Sequence, residues 1–405
     1  MRMKIAINYN IGKILEESKE TVNPEISFIY KEIHKYKVNT EKRIDEYIAG
    51  ISSMTGSEQI SWAQEHAPID IKQYVIRKLL HKDYDVLKKG ANTWKTLNDI
   101  GFDIKEEARC QQDYSEWISL WEEKAKIIKD YNKPIIESHA HYNLENFKHF
   151  QDRLLSILHN SANIEKIVIP AISFDSNYEI IWKFDVDSYD YVYYAFGIHP
   201  KYAYKDKLAN KTMERLDDLI KRTQKCIAVG ESGLDYSYSE FNEEHRNVQM
   251  ETFVESIDVA NKHNLPMILH IRPEEKDSKE YNVHKDAVEI LRNHKINKDA
   301  VLHCFKGNTG ILNDYLSVGI RYFGIGGYVT YGDKDFEEAV KNMPEESIIL
   351  ETDSPYIKLT KDNMPNTSLS LIDIAKKISE IRGANVEHIL DVAYKNVIRL
   401  FFEHC

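Results

Sequence analysis

The sequence predicts an α/β protein: a (β/α)8 barrel with an additional, mostly α-helical N-terminal domain. From about residue 132 onward, short apolar, β-branched runs alternate with longer amphipathic stretches, which indicates parallel strands connected by helices. Eight such runs follow one another at a spacing close to that of a (β/α)8 barrel. Before residue 132 the chain is poor in Gly, and its apolar residues recur at helical spacing. We therefore expect two domains, at 1–131 and 132–405.

Each predicted strand is a short apolar run, and most end in polar residues. In chain order the runs are PIIESHAHY, KIVIPAIS, YVYYAFGIHP, CIAVGESGLDY, PMILHIR, AVLHCFKG, RYFGIGGYV and SIILETDSPY. Amphipathic stretches between them, such as ETFVESIDVANKHN, have helical periodicity. An open doubly wound sheet is the alternative fold. It normally has fewer strands and a Gly-rich phosphate loop after the first strand, and the sequence has no such motif there.

The composition restricts the classes of protein to which the chain can belong. Of 405 residues, 42% are hydrophobic and 29% are charged, as in globular proteins with a substantial core. We expect no membrane span and no secretory signal, because no apolar run is long enough. The four scattered cysteines favour a reducing, cytoplasmic location. The net charge of −11 disfavours general binding of polyanions, so any contact with nucleic acid must be local or metal-mediated.

Ionisable residues stand at the ends of the predicted strands. The C-terminal ends of barrel strands converge on one face, where active sites of this fold lie. Imidazoles and carboxylates are ligands of Zn, Mn, Ni and Fe. Each residue alone has an ordinary explanation, such as a hydrogen-bonded buried His or a capping carboxylate. Burial of several such groups together is costly unless they are paired or coordinated. We therefore predict a divalent-metal site built from His139, His141, Glu231, His270, His303 and Asp353.

Six motifs resemble, in order, those of the TatD-type metal-dependent deoxyribonucleases, a branch of the amidohydrolase superfamily. They are ESHAHYN, FGIHP, AVGESGLDY, LPMILHIR, VLHCFKG and ILETDSPY. The resemblance covers about residues 134–405. It implies a DNase that acts as a 3′–5′ exonuclease, with DNA as its partner and two divalent ions as cofactors (Zn, Mn, Ni, Fe or Mg). It also implies that His139, His141 and Asp353 bind one ion, that His270 and His303 bind the other, and that Glu231 bridges both.

The same resemblance suggests roles for individual residues. Two ions roughly 3.5–4 Å apart can hold the attacking and leaving oxygens of a phosphodiester. Asp353 would then accept a proton as general base, with Glu231 as the second catalytic group. Asp235 would orient a ligand histidine. Three residues are candidates for substrate contact, although exposed solvated charge is an equal explanation for the two cations: His199, Arg272 and Lys306.

Four residues depart from the usual form of the motifs, and none of them is a predicted ligand: Glu137, Asn143, Ser232 and Ile271. They bear on substrate choice more than on catalysis. Two alternatives therefore stay open. One is a metal-dependent hydrolase of another substrate, such as an ester, an amide or an aminoacyl-tRNA. The other is a nuclease subunit docked onto a protein partner through residues 1–131, a region that otherwise serves as a stabilising cap.

Overall fold

The computed structural model describes residues 115–147, 150–177, 180, 189–208, 213–221, 223, 225–238, 241–273, 282–359 and 364–403. Most of the predicted helical N-terminal domain, residues 1–114, lies outside the described residues. The docking of a protein partner through residues 1–131 therefore stays a prediction.

Eight parallel strands form one sheet in which each strand pairs with the next along the chain. Every run that the sequence marks as a strand forms one, and the predicted barrel is confirmed. Several strands are buried at every position, as expected where helices cover the outside of a parallel barrel. The strands β1 to β8 are Ile135–Glu137, Ile164–Pro170, Val192–Phe196, Cys226–Asp235, Met267–Arg272, Ala300–Leu302, Tyr322–Ile325 and Ile348–Leu350.

The described helices stand mostly between the strands. The helices α1 to α10 are Ser115–Asp130, Gln151–Ser161, Pro200–Leu208, Met213–Ile220, Glu243–His263, Val283–Asn293, Thr309–Ser317, Lys334–Asn342, Leu371–Arg382 and Val386–Val397. Short 3-10 turns occupy Glu145–Phe147, Gly327–Tyr331, Glu345–Ser347 and Ser368–Ser370, and a π-helical turn follows at Ile398–Phe402.

Asparagine side chains determine where several helices begin. The helices α5, α6, α7 and α10 each start after an asparagine whose side chain accepts a hydrogen bond from a backbone N–H in the first turn. This satisfies one of the amide donors that have no partner within the helix. Helix α5 also ends on an asparagine, Asn264, which adopts the left-handed conformation with φ 54°.

Contacts divide the chain into two compact units. The larger comprises Leu120–Lys148 and Ser156–Cys405 and contains the barrel. The smaller comprises Met1–Ser119 and His149–Leu155. All the site residues predicted from sequence belong to the larger unit, and the predicted boundary between residues 131 and 132 stays a prediction.

The first and last strands meet at a seam, which here means the contact between β1 and β8 together with the residues that follow each. A single parallel bridge joins Ala140 to Ser354. The backbone N–H of His141 donates to the Ser354 carbonyl at 2.7 Å, and that of Asp353 donates to the His139 carbonyl at 2.9 Å. The seam therefore closes just beyond the strands, at the end of the barrel that carries the predicted metal ligands.

Candidate metal centre

All six predicted ligands lie within or just beyond the C-terminal halves of five strands. Two follow β1, one lies in β4, one lies in β5, one follows β6 and one follows β8. Barrel topology places these strand ends around one opening. The side chains are largely buried, with exposed fractions from 1% for His139 to 14% for Asp353. The structure therefore brings together in one buried cluster all six residues that the sequence singled out.

The first ligand set combines β1 and β8 with Glu231. Glu231 Oε1 lies 3.4 Å from His139 Nε2 and 3.3 Å from His141 Nε2. Asp353 Oδ1 lies 3.7 Å from the first of these nitrogens and 3.2 Å from the second. Ligand atoms that surround one Zn²⁺ tetrahedrally at about 2.1 Å lie about 3.4 Å apart. The spacing of these atoms therefore suits one shared ion.

The second set uses the other oxygen of Glu231. Glu231 Oε2 lies 3.2 Å from His270 Nδ1 and 3.3 Å from His303 Nε2, and these two nitrogens are 3.1 Å apart. One carboxylate therefore faces two ligand sets, one through each oxygen. This is the arrangement of a bridging ligand.

Hydrogen bonding gives an independent test of whether metal ions fit this cluster. Nearly all buried polar atoms in proteins have a hydrogen-bond partner. In the part of the chain that the structure describes, His139 Nε2 and Glu231 Oε1 are buried and have none. Both atoms point into the first ligand set. Imidazole and carboxylate donors whose atoms converge in this way fit borderline divalent ions such as Zn, Mn, Fe and Ni.

The electrostatics of the cluster keep its carboxylates charged. Burial alone would raise the pKa of Glu231, but the neighbouring His139 and His303 hold it well below its ordinary range. Burial would likewise raise the pKa of Asp353, and the hydrogen bond from His141 outweighs it and lowers the pKa. Burial lowers the pKa of His139, which favours the neutral ring. Burial would also lower the pKa of His141 and His270, but their carboxylate neighbours outweigh it and raise the pKa, so an ion that binds here would displace protons from these rings.

Asp235 occupies the place expected of a residue that orients a ligand. Its Oδ2 lies 3.3 Å from His270 Nε2, on the ring edge opposite the nitrogen that faces Glu231. Its Oδ1 accepts hydrogen bonds from the Ser237 N–H at 2.8 Å and the Ser237 hydroxyl at 2.6 Å. The Gln249 side chain in α5 holds the Asp235 backbone: its Oε1 accepts from the Asp235 N–H at 2.8 Å, and its Nε2 donates to the Asp235 carbonyl at 2.9 Å. The carboxylate is therefore fixed, and it can in turn fix the His270 ring.

His199 lies against the second ligand set. Its Nε2 is 3.9 Å from Glu231 Oε2, and its ring centroid is 4.1 Å from that of His270. Burial lowers the pKa of His199 to about 3, so the ring is neutral. Its Nδ1 accepts a hydrogen bond from the Lys201 N–H at 3.0 Å, whereas the Lys201 side chain is exposed.

The two predicted substrate cations, Arg272 and Lys306, are exposed and line one cavity beside the cluster. The Lys306 Nζ lies 5.1 Å from the centre of the Tyr328 ring. The cavity has a volume of about 420 Å³, and we call it the side pocket. His270, His303 and Asp353 also line it, so it opens onto both ligand sets.

Two buried acidic side chains at the centre were not predicted. Glu137 is the first, and burial raises its pKa to about 8. It is fully buried and reaches across the seam. Its Oε1 accepts from the backbone N–H groups of His139 at 3.2 Å and Thr352 at 3.0 Å, and its Oε2 accepts from the Thr352 hydroxyl at 2.6 Å. Glu137 therefore ties the segment that carries His139 to the segment that carries Asp353.

Glu351 is the second carboxylate that the sequence analysis missed. It is 1% exposed, its Oε1 accepts from the Cys304 N–H, and the same oxygen lies 3.7 Å from His303 Nδ1. Gly324 in β7 leaves the space that the carboxylate occupies, because a Cβ there would lie 2.1 Å from Glu351 Oε2. Glu351 is part of the motif ILETDSPY, but only the fold shows that it supports the segment that carries His303.

Comparison with known proteins identifies the family of the chain. The family model described as "TatD related DNase" matches residues 136–402. The chain belongs to the TatD-related DNase family. The expected resemblance is thereby confirmed, and membership of the family makes the chain a metal-dependent hydrolase.

Individual relatives match the same part of the chain. It is 27% identical over 270 residues to the "Uncharacterized metal-dependent hydrolase YabD" of Bacillus subtilis, covering 66% of this chain and 98% of that protein. It is 27% identical over 278 residues to the "Putative deoxyribonuclease TATDN3" of Mus musculus, covering 66% and 88%.

Solved structures of TatD homologues share the barrel. The Escherichia coli homologue YjjV superposes with a TM-score of 0.56 at 24% identity, covering 66% of this chain and 97% of that one. A TatD family hydrolase from Entamoeba histolytica gives 0.56 at 23% identity, covering 67% and 98%. At these identities the likeness shows the fold. Among the described residues, no helix has the length and apolarity needed to cross a membrane.

Proposed function

We propose that this TatD-family chain is a phosphodiester hydrolase that acts on DNA as a 3′–5′ exonuclease and uses two divalent ions. The observation that carries the proposal is the position of Glu231, whose two oxygens each face a separate ligand set at 3.2–3.4 Å. Divalent ions supply Lewis acidity, which activates water and offsets the negative charge of a phosphodiester. The name of the mouse relative supports DNA as the substrate.

The residues of the chain divide the work as follows. His139, His141 and Asp353 hold one ion and His270 and His303 hold the other, with Glu231 shared between them. Asp353 has the most exposed side chain of the six ligands, at 14%, and it lines the side pocket. It is therefore placed to accept the proton of the attacking water.

The substrate phosphate is placed by residues around the side pocket. Lys306 and Arg272 hold its oxygens, Arg272 through paired donors that match a phosphate. His199 stays neutral at physiological pH and can donate a hydrogen bond without adding charge. These contacts orient the substrate against the ligand sets and exclude water from the remaining volume.

The test combines metal content with cleavage of defined DNA ends. Purified protein is analysed for bound Zn, Mn, Ni, Fe and Mg, and is then given single-stranded and duplex DNA labelled at either end. We expect stepwise shortening from the 3′ end by wild type and the background rate for Glu231→Gln and Asp353→Asn. Glu289→Gln, an equal change of charge at an exposed position in α6, should cleave like wild type.

Two outcomes contradict the proposal. One is intact DNA with metal-loaded wild type, and the other is equal cleavage by wild type and Glu231→Gln. Parallel assays with carboxylic esters, amides and aminoacyl-tRNA identify the alternative. If one of these is hydrolysed while DNA is not, the metal chemistry stands and the substrate assignment is wrong.

A further inference from the structure

Tyr356 presents an exposed ring on a firmly held turn. Its side chain is among the large exposed ones, at 50%. The backbone beneath it is fixed, because the Tyr356 N–H donates to the Asp353 carbonyl at 2.8 Å and the Asn366 N–H donates to the Pro355 carbonyl at 3.2 Å. The Ser354 carbonyl accepts from the His141 N–H at 2.7 Å. An aromatic surface is therefore held in place three residues after Asp353.

The Tyr356 ring lies directly beside the first ligand set. Its centroid is 6.0 Å from that of His141, with an angle of 67° between the rings. Its hydroxyl makes no hydrogen bond within the described part of the chain. Since the ring is half exposed, core packing does not account for its position either.

The side pocket and the Tyr356 ring both lie beside the metal centre. The pocket is lined by residues from the ends of β5 and β6, from the turn after β7 and from the segment after β8, including Arg272, Lys306, Tyr328 and Ile357. Tyr356 is not among its lining residues and stands near His141, beyond β1. Two cations and the half-exposed Tyr356 ring therefore lie around the same centre. A ligand that suits both carries a phosphate and a flat ring, as a nucleotide does.

We propose that the Tyr356 ring stacks on the base of the nucleotide next to the scissile phosphate. The inference rests on the proposed function and adds a specificity-determining contact to it. Aromatic side chains stack on any base, because every base has a π-face. In a duplex those faces are covered by neighbouring base pairs, so only a single strand or a frayed end offers them. The contact therefore makes Tyr356 the residue that recognises an accessible base, whatever the identity of that base.

The test compares two substrates that differ only in whether one nucleotide carries a base. Single-stranded oligonucleotides carry either thymidine or an abasic tetrahydrofuran residue beside the bond that is cleaved. Wild type should prefer the thymidine substrate in kcat/KM by about 10-fold, and Tyr356→Ala should reduce that preference to near one. Tyr356→Phe keeps the ring and should behave like wild type. Tyr331→Ala is the matched control, because Tyr331 is also a tyrosine in a turn after a barrel strand and is 54% exposed.

A second readout does not depend on cleavage. With the metal retained and cleavage blocked by a phosphorothioate at the scissile position, an oligonucleotide carrying 2-aminopurine at the same position should lose fluorescence on binding wild type and Tyr356→Phe. With Tyr356→Ala the loss should be absent. Unchanged thermal unfolding of Tyr356→Ala shows that the barrel is intact.

The outcomes separate this inference from the proposed function. If wild type cleaves both substrates and Tyr356→Ala keeps the full preference for the base, the stacking contact is wrong while the nuclease stands. If wild type cleaves neither substrate and retains its metal, the proposed function fails and the stacking contact fails with it.

Discussion

Glu137 and Glu351 lie behind the candidate metal centre and contact the segments that carry its predicted ligands. Each is fully or almost fully buried, and each accepts a backbone N–H from the segment that carries a ligand. Residues of this kind orient ligands, and their loss commonly lowers metal affinity by about 10–100-fold. Both positions therefore offer tests that leave every ligand in place.

Replacement of Glu137 by Ala should be severe. The change leaves the buried N–H groups of His139 and Thr352 without an acceptor and opens a cavity at the seam. We expect the free energy of unfolding in urea to fall by about 3–4 kcal/mol. Zn²⁺ affinity, measured by competition with a chelator, should fall by about 10-fold or more. Glu137→Gln keeps one oxygen and should lose less than half as much stability, so equal losses in the two variants would contradict the role assigned to Glu137.

Two glycines of the same segment provide a matched pair for Glu351. A Cβ at Gly324 would overlap the Glu351 carboxylate, whereas a Cβ at Gly326 would meet its nearest neighbour at an ordinary 3.6 Å. Gly324→Ala should therefore displace Glu351 from the Cys304 N–H and lower stability by about 2–3 kcal/mol. Gly326→Ala should change it by less than about 1 kcal/mol. Thermal unfolding of both variants checks this, and similar melting temperatures would mean that Gly324 does not make room for Glu351.

At the scale of secondary-structure elements, the contact between α6 and α7 makes the stability of the fold depend on pH. His284 in α6 has its Nδ1 3.0 Å from the hydroxyl of Tyr315 in α7, and burial lowers its pKa to about 4. In the unfolded chain the pKa of His is about 6.5. Protonation therefore favours the unfolded state, and the stability that the neutral ring provides is lost as pH falls from about 6.5 toward 4.

The expected size of this pH effect is modest. Between pH 7 and pH 5, His284 should account for about 1 kcal/mol of lost stability, after allowance for its partial exposure. His284→Gln removes the titrating group, so its unfolding free energy should fall correspondingly less over the same interval. Urea titrations at the two pH values measure the difference. Identical pH dependence in wild type and the variant would show that the ring titrates normally.

The strand ends explain what the sequence predicted well. The clustering of the six predicted ligands could be foreseen because barrel topology brings the C-terminal ends of successive strands together, so that position along the chain predicts position in space. His139 and His141 are two residues apart, so the local geometry of an extended segment was enough to predict that their side chains face the same way.

The contacts that the sequence did not predict depend on pairings between distant segments. Glu137 interacts with Thr352 across the seam, and nothing in the first motif indicates which segment lies opposite. Glu351 depends on the missing side chain of Gly324. The exposed ring of Tyr356 belongs to a quoted motif, but its orientation follows from hydrogen bonds made by Asp353 and Asn366.

For the molecule as a whole, the negative net charge makes substrate binding a local matter. With a net charge of −11, the chain attracts a polyanion only where cations concentrate, as Arg272 and Lys306 do at the side pocket. Binding of single-stranded DNA should release about 0.7 counterion for each phosphate that is neutralised. Two such contacts give a slope of about −1.4 for log K against log salt.

Lys306→Ala should make that slope shallower by about 0.7 and weaken binding. Fluorescence anisotropy of a labelled, cleavage-resistant phosphorothioate oligonucleotide, measured with the metal-loaded protein over a range of salt concentrations, gives the slope directly. Lys262→Ala is the control, because Lys262 lies near the C-terminal end of α5 and pairs with Asp217. An unchanged slope for Lys306→Ala would remove Lys306 from the substrate contacts.

The position of the ligands across the seam has a further consequence. His139 and His141 follow the first strand and Asp353 follows the last, so an ion held by all three cross-links the two ends of the barrel and closes a loop of roughly 200 residues. A cross-link of that span restricts the open and unfolded chain much as a disulfide does. The ion would then stabilise the closed barrel in addition to its part in catalysis. Its removal would first loosen the barrel where the strands β1 and β8 meet.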